Sequence, residues 1–509
     1  MVRSESRTYN IFRNAFVSVV CQCITILLGF ACRKALIASM GLAYVGVNSL
    51  FSSIVSMLSF VELGIGNAIV FSLYKPIADH DTEKIKSFIS YYKKIYNYIA
   101  CAIFVIGIIV IPFLDKFVTA NDGISENIYV MYILTLITTA CTYLYAAPKT
   151  LLIADQNQYI EKIIYQVCHI AQVILQIVIL FVWKDYYLFL VVQIIFSLSN
   201  NLLATYITNK KYPYLKTPSR KISRENKYAL FTNVRAMFLY KVGSSFLNYV
   251  SNIFISYYCG LVFLGKIANY ILILSTLSGV VTQLTSAFSA SVGNKRAIES
   301  SSDCKNTFFQ ALFVTVWITG FFAVGYFLFA DQFVAIIFGQ DCIVDYNVVI
   351  VIGALYFVQD THSISTTYRY ALGVFRKGRY APLVASILNI IFSVIFYKLI
   401  GVSGLFIATI LARLLTLGIV DAYLIIGGRT GVLSYYYQMF KYILVISVLF
   451  LSMKFIMDMI HIHNIVLFIV CATSFAVIYN LIWYMIYRNG GHCRYVISRL
   501  VDAIPIFRH

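Results

Sequence analysis

Six charged side chains lie inside stretches that are otherwise apolar enough to cross a bilayer: Arg33, Lys34, Lys241 and Arg413, against Glu62 and Asp360. A basic residue at the centre of a membrane helix costs about 2.5–3.5 kcal/mol even on the lenient scale, so such residues point to a polar cavity and its ligand. Guanidinium and ammonium groups replace the lost hydration of anionic oxygens with charge-assisted hydrogen bonds, and the guanidinium can do so two at a time. Arg33, Lys241 and Arg413 are therefore the candidate anion-binding residues, and four cations against two carboxylates predict a cavity that prefers anions. Glu62 and Asp360 are the carboxylates within spans, and they become the candidate coupling residues if the cavity serves ion-driven movement, which needs a group loaded on one face and released on the other.

Two polar stripes carry these charges. One runs Asn14, Ser18, Gln22, Thr25, Gly29, Arg33, and the other Lys241, Ser245, Asn248, Asn252, Ser256, each with steps of three or four residues that keep it on one helix face. Gln22, Thr25, Asn248 and Asn252 are accordingly expected to line the cavity. Polar contacts between neighbouring helices would give the same spacing, so both readings stand at this point. Thr409 and Thr416 share a face with Arg413.

Three other patterns fail on context. Gly260 through Lys266 has phosphate-loop spacing, but Ile267 occupies the position that should hold Mg²⁺ and no strand precedes it. Asp79-His80-Asp81 resembles a metal-holding acidic pair yet sits in a short charged loop, where a solvated role is expected. His169, alone among Ile and Val, is expected to be a helix contact. Eleven cysteines, mostly within spans, lack zinc spacing and argue against a disulfide framework, so no metal or cofactor is expected.

The elements that must position these residues follow from composition. Of 509 residues 60% are hydrophobic and only 12% charged, about half the charged fraction of a globular protein, which excludes a disordered chain and a multidomain soluble enzyme. A window of roughly 20 apolar residues gives about fourteen spans. Runs such as 103–113 and 174–182 are apolar on every side, which excludes the alternation of a barrel strand. The expected class is an all-α polytopic membrane protein. Placing both termini in the cytoplasm puts 31 of the 40 Lys and Arg in inner segments and five in outer ones. The net charge of +19 is thereby explained by anionic inner-leaflet lipid, without nucleic acid. The first apolar segment lacks a cleavage site and is expected to be retained.

The chain also repeats at an offset of 219. Gly41, Leu42, Gly46, Ile54, Ser56, Leu58, Ser59 and Val61 recur as Gly260, Leu261, Gly265, Ile273, Ser275, Leu277, Ser278 and Val280. The offset predicts two six-helix lobes in the same orientation, as in transporters built from parallel repeats. The expected organisation is an N-lobe over 1–208, a basic cytoplasmic linker over 209–231, a C-lobe over 232–430, two additional spans over 431–488 and a cytoplasmic tail over 489–509. The outer loops are short and leave no room for a catalytic domain, so an enzyme is not expected.

Several ordered motifs carry a family resemblance. Val61-Glu62-Leu63-Gly64-Ile65-Gly66, the segment from Asn269-Tyr270 to Ser289 through Asn294, Tyr368 through Gly373, Arg379 through Leu383 and Gly401-Val402-Ser403-Gly404 resemble bacterial polysaccharide flippases of the multidrug/oligosaccharidyl-lipid/polysaccharide exporter superfamily. Leu28-Gly29-Phe30 followed by Arg33 resembles the lipid II flippase branch, which implies a substrate-phosphate role for Arg33. Ser251 stands where related flippases often carry an acidic residue before the Asn.

Together with the cationic interior, the resemblance implies flipping of an undecaprenyl-pyrophosphate-linked oligosaccharide across the bacterial inner membrane by alternating access, for surface polysaccharide biosynthesis. The expected partners are that lipid-linked oligosaccharide, anionic membrane lipid and polysaccharide polymerase or assembly proteins, with a monomer as the expected state. The alternatives are a cation-coupled drug exporter of the same superfamily and a membrane glycosyltransferase or polymerase.

Overall fold

The computed structural model describes residues 7–59, 65–118, 123–218, 222, 224–296, 301–372, 377–460 and 464–494. Among them every regular element is helical. The helices are α1 (Arg7–Met40), α2 (Leu42–Leu58), α3 (Ile65–Ala78), α4 (Thr82–Val110), α5 (Ile128–Tyr143), α6 (Lys149–Ala154), α7 (Gln158–Val182) and α8 (Tyr186–Lys211). They continue as α9 (Arg224–Arg296), α10 (Ser301–Phe338), α11 (Tyr346–Ala371), α12 (Ala381–Ile400), α13 (Val402–Arg413), α14 (Ile419–Ala422), α15 (Gly428–Met457) and α16 (Ile465–Tyr487).

Ten helical stretches are long and apolar enough to cross a membrane, and two shorter apolar helices, Leu42–Leu58 and Ile128–Tyr143, accompany them. Two of the ten exceed a single crossing and are broken by glycine. The stretch Phe238–Thr285 turns at Gly260, and Val402–Met457 turns at Gly427 and Gly428. Their positive φ values lie where side-chain-bearing residues are strained. Large apolar side chains such as Phe16, Leu27, Leu433 and Phe440 stand exposed on the helix surfaces, as a lipid-facing belt requires.

Local chemistry sets many helix starts. Asp81, Asn127, Asp185 and Asn464 each turn a side-chain oxygen onto backbone N–H groups of the first turn that follows. Asp81, the last residue of the charged Asp-His-Asp triplet, is thus a helix cap, and its bond from the Lys84 N–H holds its carboxyl below the usual range.

The helices pack as two units, Met1–Gly265 and Lys266–His509. In the first unit α1 lies along α7, α5 against α4 and α8, and α3 against α6. The part of α9 before Gly260 belongs to this unit: Asn252 Nδ2 donates to Ser53 Oγ at 2.9 Å and Ser256 Oγ to the Phe117 carbonyl at 2.6 Å. The repeat is visible in the backbone itself. Gly41 (φ 96°, ψ 176°) and Gly260 (φ 81°, ψ 172°) adopt the same conformation 219 residues apart. A Cβ at Gly46 would overlap the Leu261 carbonyl, and one at Gly265 the Leu42 carbonyl.

In the second unit α15 and α16 are held to α10 by an aromatic core. Phe313, Tyr442, Phe475, Tyr479 and Trp483 are buried there, with Tyr479 and Trp483 stacked at 6.0 Å between ring centroids. The helix that starts as α13 widens into π turns at Leu414–Gly418 and Tyr423–Gly427, on either side of α14. Such turns disturb the regular hydrogen-bond ladder, and the Tyr436 hydroxyl of α15 donates to the Leu414 carbonyl at 2.5 Å.

Candidate functional site

Arg33 lies near the end of α1 that precedes the Gly41 break. Its Nη1 is buried and has no hydrogen-bond partner among the described residues. Its charge lies within electrostatic range of Tyr186, which is fully buried at the start of α8. The Tyr186 ring packs on Tyr44 at 5.2 Å, and the Tyr44 hydroxyl in turn donates to the Glu126 carboxylate. A buried donor left unsatisfied in this way costs about 1–3 kcal/mol. Lys34, one residue on, is exposed.

The rest of the α1 stripe divides. Thr25 Oγ1 donates to Gln166 Oε1 of α7 at 3.0 Å. Asn14 bonds the Gln156 carbonyl and the Tyr159 N–H, each at 2.9 Å, and the Arg13 guanidinium sits 3.8 Å over the Tyr159 ring. These residues join α1 to α7, the helix-to-helix role that the spacing also allowed. Gln22 is half-buried. On α9 Lys241 is half-buried and Asn248 exposed, while Asn252 is bonded to Ser53. Glu62 lies outside the described residues.

In the second unit Arg413 ends α13 where the helix widens, and it is almost wholly buried. Its Nη2 donates to Gln359 Oε1 of α11 at 3.1 Å. It also lines a cavity of about 360 Å³ together with Thr361, His362, Tyr435, Tyr436 and Met439. The neighbouring Asp360 accepts a 2.6 Å hydrogen bond from Ser278 Oγ of α9 and feels the Arg413 charge. The fold thus brings Asp360 and Arg413, 53 positions apart in the sequence numbering, to the same stretch of α11.

A second ionic cluster was not among the sequence candidates. Asp421 of α14 is fully buried; its Oδ1 accepts from Arg369 Nη1 at 2.6 Å and its Oδ2 lies 3.2 Å from His362 Nε2. Arg369, one of the basic residues expected in inner segments, is fully buried inside α11 and paired with Asp421. The available signal was modest: His362 and Arg369 are seven residues apart and so share a helix face, but nothing in the sequence names Asp421 as their partner. His169 stacks at 5.5 Å on Tyr165 of its own helix, and its Nδ1 is buried without a hydrogen-bond partner among the described residues, so the expected hydrogen-bonded contact with another helix is not what holds it.

No protein-family model and no curated protein matches this chain. Solved structures do. The lipid II flippase MurJ in an inward closed conformation superposes with a TM-score of 0.65 at 15% identity, over 94% of this chain and 99% of that chain. An inward-facing multidrug resistance MATE family transporter of the MOP superfamily gives 0.56 at 13% identity, over 83% and 95%. A MOP superfamily transporter from Pyrococcus furiosus, described as having a binding pocket of reverse polarity, gives 0.54 at 13% identity over 85% and 96%. The all-helical fold of this chain is the fold of these transporters.

Proposed function

We propose that the chain is a flippase of the multidrug/oligosaccharidyl-lipid/polysaccharide exporter superfamily. Its substrate is an undecaprenyl-pyrophosphate-linked oligosaccharide, moved across the bacterial inner membrane for surface polysaccharide biosynthesis. The observation that carries the reading is Arg33: a buried guanidinium nitrogen without a protein partner is a place prepared for an anion. The fold shared with a lipid II flippase supports a lipid-linked cargo.

In this reading the pyrophosphate is received on the cytoplasmic side by Arg33, with Lys241 and Arg413 as further cationic contacts. The lobes 1–208 and 232–430 alternate in access, and the lipid tail stays in the bilayer. Fourteen crossings place both termini and the basic linker 209–231 in the cytoplasm. Asp360, linked to Ser278 and facing the Arg413 charge, is the coupling carboxylate, with Glu62 as the other candidate. Polysaccharide polymerase or assembly proteins are expected partners of a monomeric chain.

The fold shared with a drug-resistance transporter favours one second reading, a cation-coupled drug exporter. Protein reconstituted in liposomes with a fluorescent undecaprenyl-pyrophosphate oligosaccharide separates the two. The flippase reading expects the label to become accessible on the opposite leaflet, unaffected by organic cations. Tight binding of organic cations with no movement of the lipid would overturn it.

A further inference from the structure

The segment that follows α8 folds back on the first unit through a buried lysine. Lys86 of α4 donates from Nζ to Thr217 Oγ1 at 3.0 Å and to the Pro218 carbonyl at 3.4 Å, and pairs with Glu83 at 2.5 Å. Beside this anchor lies a pocket of about 330 Å³ between α4, the α5–α6 elbow, the end of α8 and residues 215–218. Thr205 donates to the Tyr145 carbonyl at 2.8 Å, which fixes the elbow wall at a residue whose φ is 61°.

Three lining donors, Ser90, Lys93 and Asn209, have no bonding partner among the described residues, and no carboxylate lines the pocket. An ammonium, an amide and a hydroxyl form a phosphate-recognising set, because each offers N–H or O–H to an acceptor-only ligand, while Lys86 on the floor spends its own donors on Thr217, Pro218 and Glu83. The α8 face that brings Thr205 and Asn209 to the pocket is not wholly polar: at helical spacing it also carries Leu202, 49% exposed, and Tyr206, 66% exposed. A ligand that fills the pocket and covers this flank must be amphipathic.

We infer that this pocket holds the phosphate of an anionic glycerophospholipid, whose acyl chains lie along Leu202 and Tyr206. The site lies in the first unit alone, apart from Arg33, and it does not depend on the transport reading. It turns the diffuse attraction between a basic protein and anionic lipid into a defined contact that also fastens residues 215–218 to α4.

The test is native mass spectrometry of the full-length protein in detergent with dioleoyl-phosphatidylglycerol or dioleoyl-phosphatidylcholine. Selective retention of the glycerol lipid is expected, and the double variant Lys93→Gln, Asn209→Ala should weaken it at least about fivefold with an unchanged thermal midpoint. Lys210→Gln, which removes an exposed charge outside the pocket, should leave retention as in the parent. An equal loss from Lys210→Gln, or none from the double variant, overturns the site in favour of general charge attraction. Complete displacement of the lipid by millimolar glycerol 3-phosphate identifies a soluble phosphate as the ligand and overturns the lipid assignment.

Discussion

Arg33 and Arg413 are both guanidiniums in membrane helices, and they are kept differently. Among the described residues Arg33 leaves its Nη1 unanswered, whereas Arg413, with a buried Nε that makes no hydrogen bond, is bonded through Nη2 to Gln359, feels Asp360 and belongs to a unit that also buries the Arg369–Asp421–His362 cluster. Cationic charge holds the fold together at Arg413 and Arg369 and is held in reserve at Arg33. A cation already matched by protein groups adds cohesion and must exchange partners to take a ligand. An unmatched one lowers stability and gains most when an anion arrives.

The sharpest test of that contrast is Asp421→Asn. It leaves Arg369 buried without its counter-charge, and the expected loss is about 3–5 kcal/mol, read as a large drop in thermal midpoint in detergent. A midpoint equal to the parent would mean that the second unit is not held by its ion pairs. Arg33→Ala is expected to act in the other direction on stability. The midpoint should stay level or rise while export of surface polysaccharide falls about 10–100-fold at normal membrane abundance, the size of a lost charge-assisted bond. Arg33→Lys should recover part of the export, since charge survives and paired geometry does not. Full export by Arg33→Ala would remove Arg33 from the site.

Arg413→Gln should fall between the two, with about 1–3 kcal/mol lost from stability and a partial loss of export. Equal effects of Arg33→Ala and Arg413→Gln on both measurements would erase the distinction. The smallest effect is expected at Thr25→Val. Its hydroxyl answers Gln166 and no ligand, so export should remain and stability should drop by about 1 kcal/mol. A tenfold loss of export there would return Thr25 to the cavity wall.

Much of this could be read from the sequence because its signals are local. Apolar runs of membrane length, the Gly41 and Gly260 breaks and the charges embedded in spans all lie within a few turns of chain. What escaped reading depends on who meets whom across long separations. Thr25 and Gln166 are 141 positions apart, and Arg369 and Asp421 are 52 apart. A stripe at helical spacing identifies a face without saying whether it meets water or a neighbouring helix, and α1 uses its stripe for α7 at Asn14 and Thr25. The π turns were equally hidden, since Leu414–Gly418 and Tyr423–Gly427 have ordinary helical composition and the bond from Tyr436 to the Leu414 carbonyl joins positions 22 apart.

The crossed contacts of Gly46 with Leu261 and of Gly265 with Leu42 have a consequence for inheritance. They have the self-complementary form of a two-fold dimer interface, in which residue i meets j and j meets i. Two half-length chains carrying this one segment would meet through the same atoms. The two glycines are therefore bound to a common fate: a lineage that enlarges one must reposition the leucine of the other copy. Their substitution should be rarer than at Arg33, whose counterpart 219 residues on is Asn252 and not a second arginine.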